Sequence, residues 1–324
     1  MEMRAIYAEC LGKLMEQDRH VVLLDADLAK ASGTIKLREK YYGTQIFDCG
    51  VAEQNMASIA AGLSSYGFKP WIESFTPFAS RRICDQIAIS IAYAKQNVKI
   101  VGTDPGISAE LNGGTHMSME DIGVLRSIPE LVIFEPVDGV QLKAAMPVLN
   151  DYYGAVYVRL FRKELPDVFP ADYKFDLFKA DTLREGKDLS IFVSGMLTKD
   201  VLDAAEALEK DGVSCDVLNI HTIKPIDREA VLASAKKTGA VLTVENHNAT
   251  SMMCAGIATV AHTLYGTPTA SASNRPWLTC PTVNTRLPLR DTIAMATKTR
   301  LPSVGLLVRN VSLPSISSMK TRQM

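Results

Sequence analysis

Glu53 lies in the stretch Asp48-Cys49-Gly50-Val51-Ala52-Glu53-Gln54-Asn55-Met56, between a short predicted strand (Thr44 to Phe47) and an apolar helix that starts near Val51. Ile59, Ala60, Gly62 and Leu63 continue that helix with small residues that suit close packing. A carboxylate in the first turn has two readings. It complements the helix macrodipole, as acids in first turns commonly do. Alternatively it is a buried acid that meets a ring nitrogen of a cofactor. The second chemical candidate is His116, in Asn112-Gly113-Gly114-Thr115-His116, within a polar, Gly-rich loop from Asp104 to Met119. Histidine is the side chain best placed to exchange protons near neutral pH, and a loop of this length in a compact domain is commonly functional. The plainer reading is a solvated turn residue.

The elements that must position these residues follow a regular order. Arg4 to Gln17 reads as an amphipathic helix, and His20 to Asp27 as a buried strand ending in acids. Further strands are predicted at Gly67 to Glu73, Val98 to Gly102, Leu131 to Phe134 and Ala155 to Leu160. Ser74-Phe75-Thr76-Pro77-Phe78 turns into a helix carrying Arg81, Arg82, Asp85 and Gln86. Continuous apolar runs flanked by helices are the mark of parallel strands, so the expected fold is α/β with a doubly wound sheet. Ligands in such sheets sit beyond the carboxyl ends of the strands. Asp27, Glu53, Phe75 and Thr103 all fall there.

The polar, aperiodic segment Pro166 to Glu185 reads as a linker. A second α/β domain begins at Asp188 to Gly195, with later strands at Ser214 to Asn219 and Gly239 to Glu245. Gly195 has no GxGxxG pattern around it, which favours a tight strand–helix turn over a phosphate loop.

Composition narrows the function. The chain has 324 residues, 47% hydrophobic and 22% charged, which is globular and long enough for two domains. A net charge of -1 and no sustained basic patch argue against nucleic acid. No run of 18 apolar residues argues for a membrane span, and Met1-Glu2-Met3-Arg4 lacks a signal-peptide layout. Six cysteines without a CxxC pair give no metal or disulfide framework, and point to a cytoplasmic protein.

Taken together, five segments resemble the transketolase family, over roughly residues 4 to 265. They are Asp25-Ala26-Asp27-Leu28; Gly50 to Met56; Ser74 to Phe78 with Asp85-Gln86; Gly113 to His116 with Glu120-Asp121-Ile122 and Arg126; and Asp188 to Gly195 with Val244 to His247. The resemblance implies a thiamine diphosphate enzyme. Its pyrimidine-type domain would be followed by a transketolase C-terminal-like domain. Glu53 matches the glutamate that contacts the pyrimidine nitrogen farthest from the reactive carbon. A hydrogen bond there favours the imino tautomer, whose exocyclic nitrogen takes the thiazolium proton. Burial raises the pKa of a carboxylic acid, which suits such a task. By the same resemblance Phe78 stacks on the pyrimidine, with Phe75 near it and Asp27 also at the cofactor. His116 and Asn112 match donor-sugar positions, and Arg4 and Arg162 match positions that grip an acceptor phosphate, with Arg159 close enough to compete. Arginine suits that grip through its bidentate fork.

Two departures shape the expectation. No Gly-Asp-Gly metal and diphosphate segment occurs. The chain therefore resembles the C-terminal subunit of a split transketolase, inert alone. Magnesium or calcium would be held by an N-terminal, diphosphate-binding partner, in a heterotetramer acting on sugar phosphates. Asn112 stands where many transketolases have aspartate, which bears on sugar choice. The expected division is residues 1–165 for the pyrimidine-binding domain, 166–187 for a linker, 188–265 for the C-terminal-like domain and 266–324 for an atypical tail. That tail reads as divergent or flexible, or as a reading-frame slip over 291–304. The alternatives are the β subunit of a 2-oxo acid dehydrogenase, a deoxyxylulose phosphate synthase-like enzyme, and a non-catalytic α/β binding or regulatory protein.

Overall fold

The computed structural model describes residues 1–248, 257 and 308–311. The expectations for most of 266–324 and for the frame slip fall outside the described residues. The chain forms two units, Met1–Leu177 with Thr222–Pro225, and Phe178–His221 with Ile226–Met324.

In the first unit the order is α1 (Met3–Gln17), β1 (Val21–Asp25), α2 (Ala29–Ser32), α3 (Ile35–Tyr41), β2 (Ile46–Asp48), α4 (Glu53–Ser65) and β3 (Lys69–Phe75). A short turn at Arg81–Ile83 leads into a π-helical stretch, Gln86–Tyr93. Then come β4 (Lys99–Thr103), α5 (Asp121–Leu125), β5 (Val132–Phe134), α6 (Gly139–Asp151) and β6 (Val156–Leu160). In chain order the second unit adds β7 (Asp181–Arg184), β8 (Leu189–Val193), α7 (Thr198–Lys210) and β9 (Cys215–Asn219). Next is β10 (Thr222–Lys224), which belongs to the first unit, followed by α8 (Arg228–Thr238), β11 (Val241–Val244) and β12 (Val308–Val311).

The first sheet has seven strands in the order β10-β5-β6-β4-β3-β1-β2, parallel except for the antiparallel edge strand β10. β1, β4 and β6 are buried at every position, as a parallel sheet covered on both faces requires. The doubly wound α/β expectation is met. α1 packs on α6 through a close approach. A Cβ on Gly139 would come within 2.4 Å of Ile6 Cδ1. Asp138 caps α6 by accepting from Gln141 N (2.7 Å). Its other oxygen accepts from Val168 N and Phe169 N (2.6 and 2.9 Å), which fastens part of the stretch read as a linker to this unit.

The second unit's sheet runs β12-β11-β8-β9-β7, parallel except for β7. It has two strands more than the three read from the sequence. α7 buries Val201, Ala204, Ala205 and Leu208 at helical spacing. Gly195, with φ near 60°, opens a tight turn between β8 and α7.

Candidate active site

The seam before α4 is built by backbone geometry and one carboxylate. Gly50 has φ +68°, a left-handed conformation that glycine adopts without strain. Asp48 Oδ1 accepts from Gly50 N (2.9 Å) and from Asp27 N (3.1 Å). The turn closes with Ala52 N donating to Gly50 O (2.7 Å), and Glu53 becomes the first residue of α4. Glu53 is only 3% exposed. Its Oε1 accepts from Arg82 Nη1 at 2.7 Å. Arg82 Cζ in turn lies 3.8 Å from the centre of the Phe78 ring.

β3 delivers Phe75 at its carboxyl end, and Phe78 N donates back to Phe75 O (2.8 Å). Both rings meet His116 edge to face. Phe75 lies 5.1 Å from it with planes at 86°, and Phe78 lies 5.3 Å from it at 68°. His116 Nδ1 and Thr115 Oγ1 are 2.9 Å apart. The loop that carries them runs into α5, whose Asp121 is anchored in the core. Arg159 Nε donates to Asp121 Oδ2 (2.8 Å) and Arg159 Nη1 to Glu135 Oε1 (2.6 Å), all of them buried. Arg159 is thus committed to the interior and is no rival to Arg162 as an anion ligand. The π-helical stretch follows directly on Arg81–Ile83; such stretches are rare and recur at functional sites.

The two other predicted arginines converge. Arg4 Nη1 and Arg162 Nη1 both donate to Ala31 O, at 3.2 and 3.3 Å. Arg162 Nε donates to Asp104 Oδ2 (2.6 Å), and its guanidinium stands 4.9 Å from the Phe75 ring centre. Asp104 directly follows β4 and Asp27 stands two residues past β1, with φ near 54° and 59°, backbone strain of the kind found at functional sites. The structure therefore brings Glu53, Phe75, Phe78, His116, Arg4 and Arg162 into one chain of contacts. Asp27 joins through Asp48 alone, and Asn112 is exposed with no hydrogen bond or ring contact to the group among the described residues.

Three members escape a reading of the sequence. Arg82 stood only in a run of helix residues, and Asp104 only as the start of a loop. Glu73 read as the end of a strand, yet it is fully buried and pairs in register with Asp25, itself beside Asp48. Thr34 Oγ1 donates to Glu73 Oε1 (2.5 Å). Burial, helped by neighbouring Asp25, pushes the Glu73 carboxyl up to about 8. Asp25 also holds the α2 loop by accepting from Leu28 N and Ala29 N (2.9 and 3.0 Å). That loop carries Ala31.

Phe78 and Glu53 are the kinds of partner the expected cofactor needs, an aromatic platform beside a buried acceptor. A flat, N–H-bearing group already lies there, stacked on the ring and hydrogen-bonded to Glu53. An aminopyrimidine presents the same plane and the same donor once its ring nitrogen carries a proton.

Comparison with known proteins identifies the family. Residues 1–168 match the model for the transketolase pyrimidine binding domain, and residues 178–274 match that for the transketolase C-terminal domain. A 6-deoxy-6-sulfo-D-fructose transketolase subunit of Clostridium sp. (strain MSTE9) is 50% identical, over 75% of this chain and 76% of its own. An apulose-4-phosphate transketolase subunit of Phocaeicola vulgatus is 36% identical, over 76% of this chain and 78% of its own. A solved split gene transketolase, described as an inactive beta4 tetramer, superposes with a TM-score of 0.75 at 36% identity, covering 83% of this chain and 87% of that one. The chain belongs to the transketolase family and carries its pyrimidine-binding and C-terminal domains.

Proposed function

We propose that this chain is the C-terminal subunit of a split, thiamine diphosphate-dependent transketolase. It moves a two-carbon ketol unit between sugar phosphates in the cytoplasm. The observation that carries the reading is Glu53, withdrawn from water at the start of α4 and facing a planar N–H donor stacked on Phe78. The kinship with transketolase subunits favours this over a 2-oxo acid dehydrogenase β subunit, a deoxyxylulose phosphate synthase or a non-catalytic protein.

When bound, the cofactor would supply a nucleophilic carbon for chemistry at the donor's ketone. Glu53 holds the proton at the pyrimidine ring nitrogen, in a site dry enough to strengthen that hydrogen bond. Phe78 fixes the plane of the pyrimidine and Phe75 backs it. His116, wedged edge-on against both rings, meets the donor sugar's hydroxyls and exchanges protons there. Asp27 borders the cofactor and Asn112 the sugar. Arg4 and Arg162 grip the anionic end of the substrate, and Asp104 aims Arg162. Their paired forks suit a tetrahedral anion, phosphate or sulfonate. The Clostridium relative's name refers to a sulfo sugar, so 6-sulfo and 6-phospho ketoses are the donors to compare.

Among the described residues no three His, Cys, Asp or Glu side chains cluster to hold a metal ion. We assign magnesium or calcium, with the cofactor's diphosphate, to an N-terminal partner subunit, and expect a heterotetramer. Among the described residues no helix is long and apolar enough to cross a membrane. The test is calorimetric titration of thiamine diphosphate with magnesium into this chain alone, and then into its complex with the partner polypeptide. Binding by the complex only is the expected result. Binding by neither sinks the proposal.

A further inference from the structure

Arg82 is used by no step proposed above, yet it occupies the centre of the site. Its guanidinium lies 3.8 Å above the Phe78 ring centre and donates to Glu53 Oε1 at 2.7 Å. Those are the two contacts assigned to the cofactor's pyrimidine, made by a group of the same flat shape and the same donor character. A pyrimidine that took this face of Phe78 and this oxygen would exclude the guanidinium. We infer that Arg82 is a built-in placeholder: it neutralises Glu53 and covers Phe78 while the cofactor is absent, and must swing out for thiamine diphosphate to bind. This rests on the cofactor reading of the site.

The physical logic has three parts. First, a carboxylate only 3% exposed needs a partner when its ligand is missing, since a buried charge without one is costly. Arginine serves because it stays protonated at any working pH and its fork is planar. Second, the partner must be able to leave. The Arg82 side chain is 42% exposed and springs from the short Arg81–Ile83 turn, so it has a path to solvent. The buried Arg159, clamped by Asp121 and Glu135, has none. Third, the neighbouring arginine does not share the role. Arg81 Nη1 is 2.6 Å from Glu120 Oε1, on the loop side. The placeholder lowers the population of the open site, and apparent cofactor affinity falls by that fraction. It also keeps the empty site from standing open as an acid beside bare aromatic rings.

The experiment uses the full chain in complex with the partner polypeptide, comparing wild type with Arg82→Gln and Arg82→Lys. Calorimetry with thiamine diphosphate and magnesium gives Kd, and thermal melting is followed with and without cofactor. Arg82→Gln should tighten cofactor Kd roughly tenfold, because a charge-assisted bond no longer competes. The same variant should melt below wild type when empty, and at or above wild type when loaded. A residue that merely supports the fold lowers both melts, so the change of sign is the diagnostic. Arg82→Lys keeps the charge and loses the flat stack, and should fall between the two. In a Glu53→Gln background the gain from Arg82→Gln should shrink to within about twofold, as expected when the competing bond is already weak. Unchanged or weaker cofactor binding in Arg82→Gln overturns the placeholder while leaving the cofactor site standing. A wild-type complex that binds no thiamine diphosphate overturns both.

Discussion

Two glutamates of the first unit are withdrawn from water almost equally and face opposite company. Glu53 is 3% exposed and meets a cation, Arg82, whose side chain is 42% exposed. Glu73 is fully buried in β3 and meets the Thr34 hydroxyl and a second acid, Asp25. Burial alone therefore does not mark a reactive acid. Glu53 sits beyond the sheet, beside a partner whose side chain is partly open to solvent. Glu73 sits inside the sheet, in register with Asp25, where nothing can reach it. Its neighbours hold the α2 loop, and that loop's Ala31 carbonyl collects Arg4 and Arg162. On the proposed reading one glutamate belongs to the chemistry, while the other belongs to the scaffold beneath the anion grip.

The largest effect that tests this contrast is on stability. The Glu73 carboxyl is raised to about 8 from an ordinary value near 4.5, chiefly by burial and then by Asp25. The folded chain therefore keeps a proton that the unfolded chain releases. Stability is full below about 4.5, falls as pH rises, and levels off above about 8. At 1.36 kcal/mol per unit, the loss across that window is on the order of 5 kcal/mol, an upper bound before local relaxation. Glu73→Gln removes the ionisation and keeps the acceptor for Thr34. Urea unfolding from pH 4.5 to 8.5 should show a flatter profile for the variant, which should overtake wild type at the alkaline end. Equal slopes in the two proteins would make Glu73 an ordinary acid and erase the contrast.

Glu53→Gln should do the reverse. The amide oxygen still accepts from Arg82, so folding of the empty chain changes little. The amide cannot hold a proton against a ring nitrogen, and kcat of the assembled enzyme should fall by about 10³-fold, the range for a lost acid–base group. A variant that is clearly less stable in urea but turns over normally would exchange the roles of the two glutamates.

Much of this contrast was legible in the sequence on one side only. The parallel strands announce themselves as apolar runs such as Val21-Val22-Leu23-Leu24, and the seam before Glu53 follows from Gly50 and an acid entering an apolar helix. Other features depend on tertiary contact. Arg82 lies 29 residues from Glu53, and only folding brings its guanidinium to that oxygen. Glu73 pairs with residues from β1 and from the start of α3, none of them near it in the chain. The three residues of β10 are too few to show a period, and they join the first sheet after the chain has already built most of the second. Segment 166–177 reads as linker because it has no periodicity, yet Val168 N and Phe169 N donate to Asp138, Phe175 packs on Phe134 and Leu177 is buried, contacts that only folding brings together.

A smaller effect separates support from chemistry on the Glu73 side. Thr34→Val is close to isosteric and removes the hydroxyl that donates to Glu73. Leaving that buried acceptor without its donor should cost about 1–3 kcal/mol in unfolding measurements. Because the same loop presents Ala31 to Arg4 and Arg162, KM for the anionic substrate should rise by a larger factor than kcat falls. Loss of kcat at unchanged KM would place Glu73 and its loop in the chemical step.

The smallest effect lies on the Glu53 side, in the stack between Arg82 and Phe78. The guanidinium covers the ring at 3.8 Å but is partly open to water, so the pair should be worth about 0.5–1 kcal/mol. A double-mutant cycle with Phe78→Leu and Arg82→Gln reads that coupling directly in thermal or urea unfolding of the empty complex. The coupling should be present without cofactor and vanish once thiamine diphosphate is bound, because the ring then faces the pyrimidine. Phe78→Leu alone should also weaken cofactor binding, since the pyrimidine loses its platform. A coupling of equal size in both states would mean that the guanidinium never leaves the ring. Glu53 would then be as permanently partnered as Glu73, and the two acids would differ in the sign of their neighbour alone.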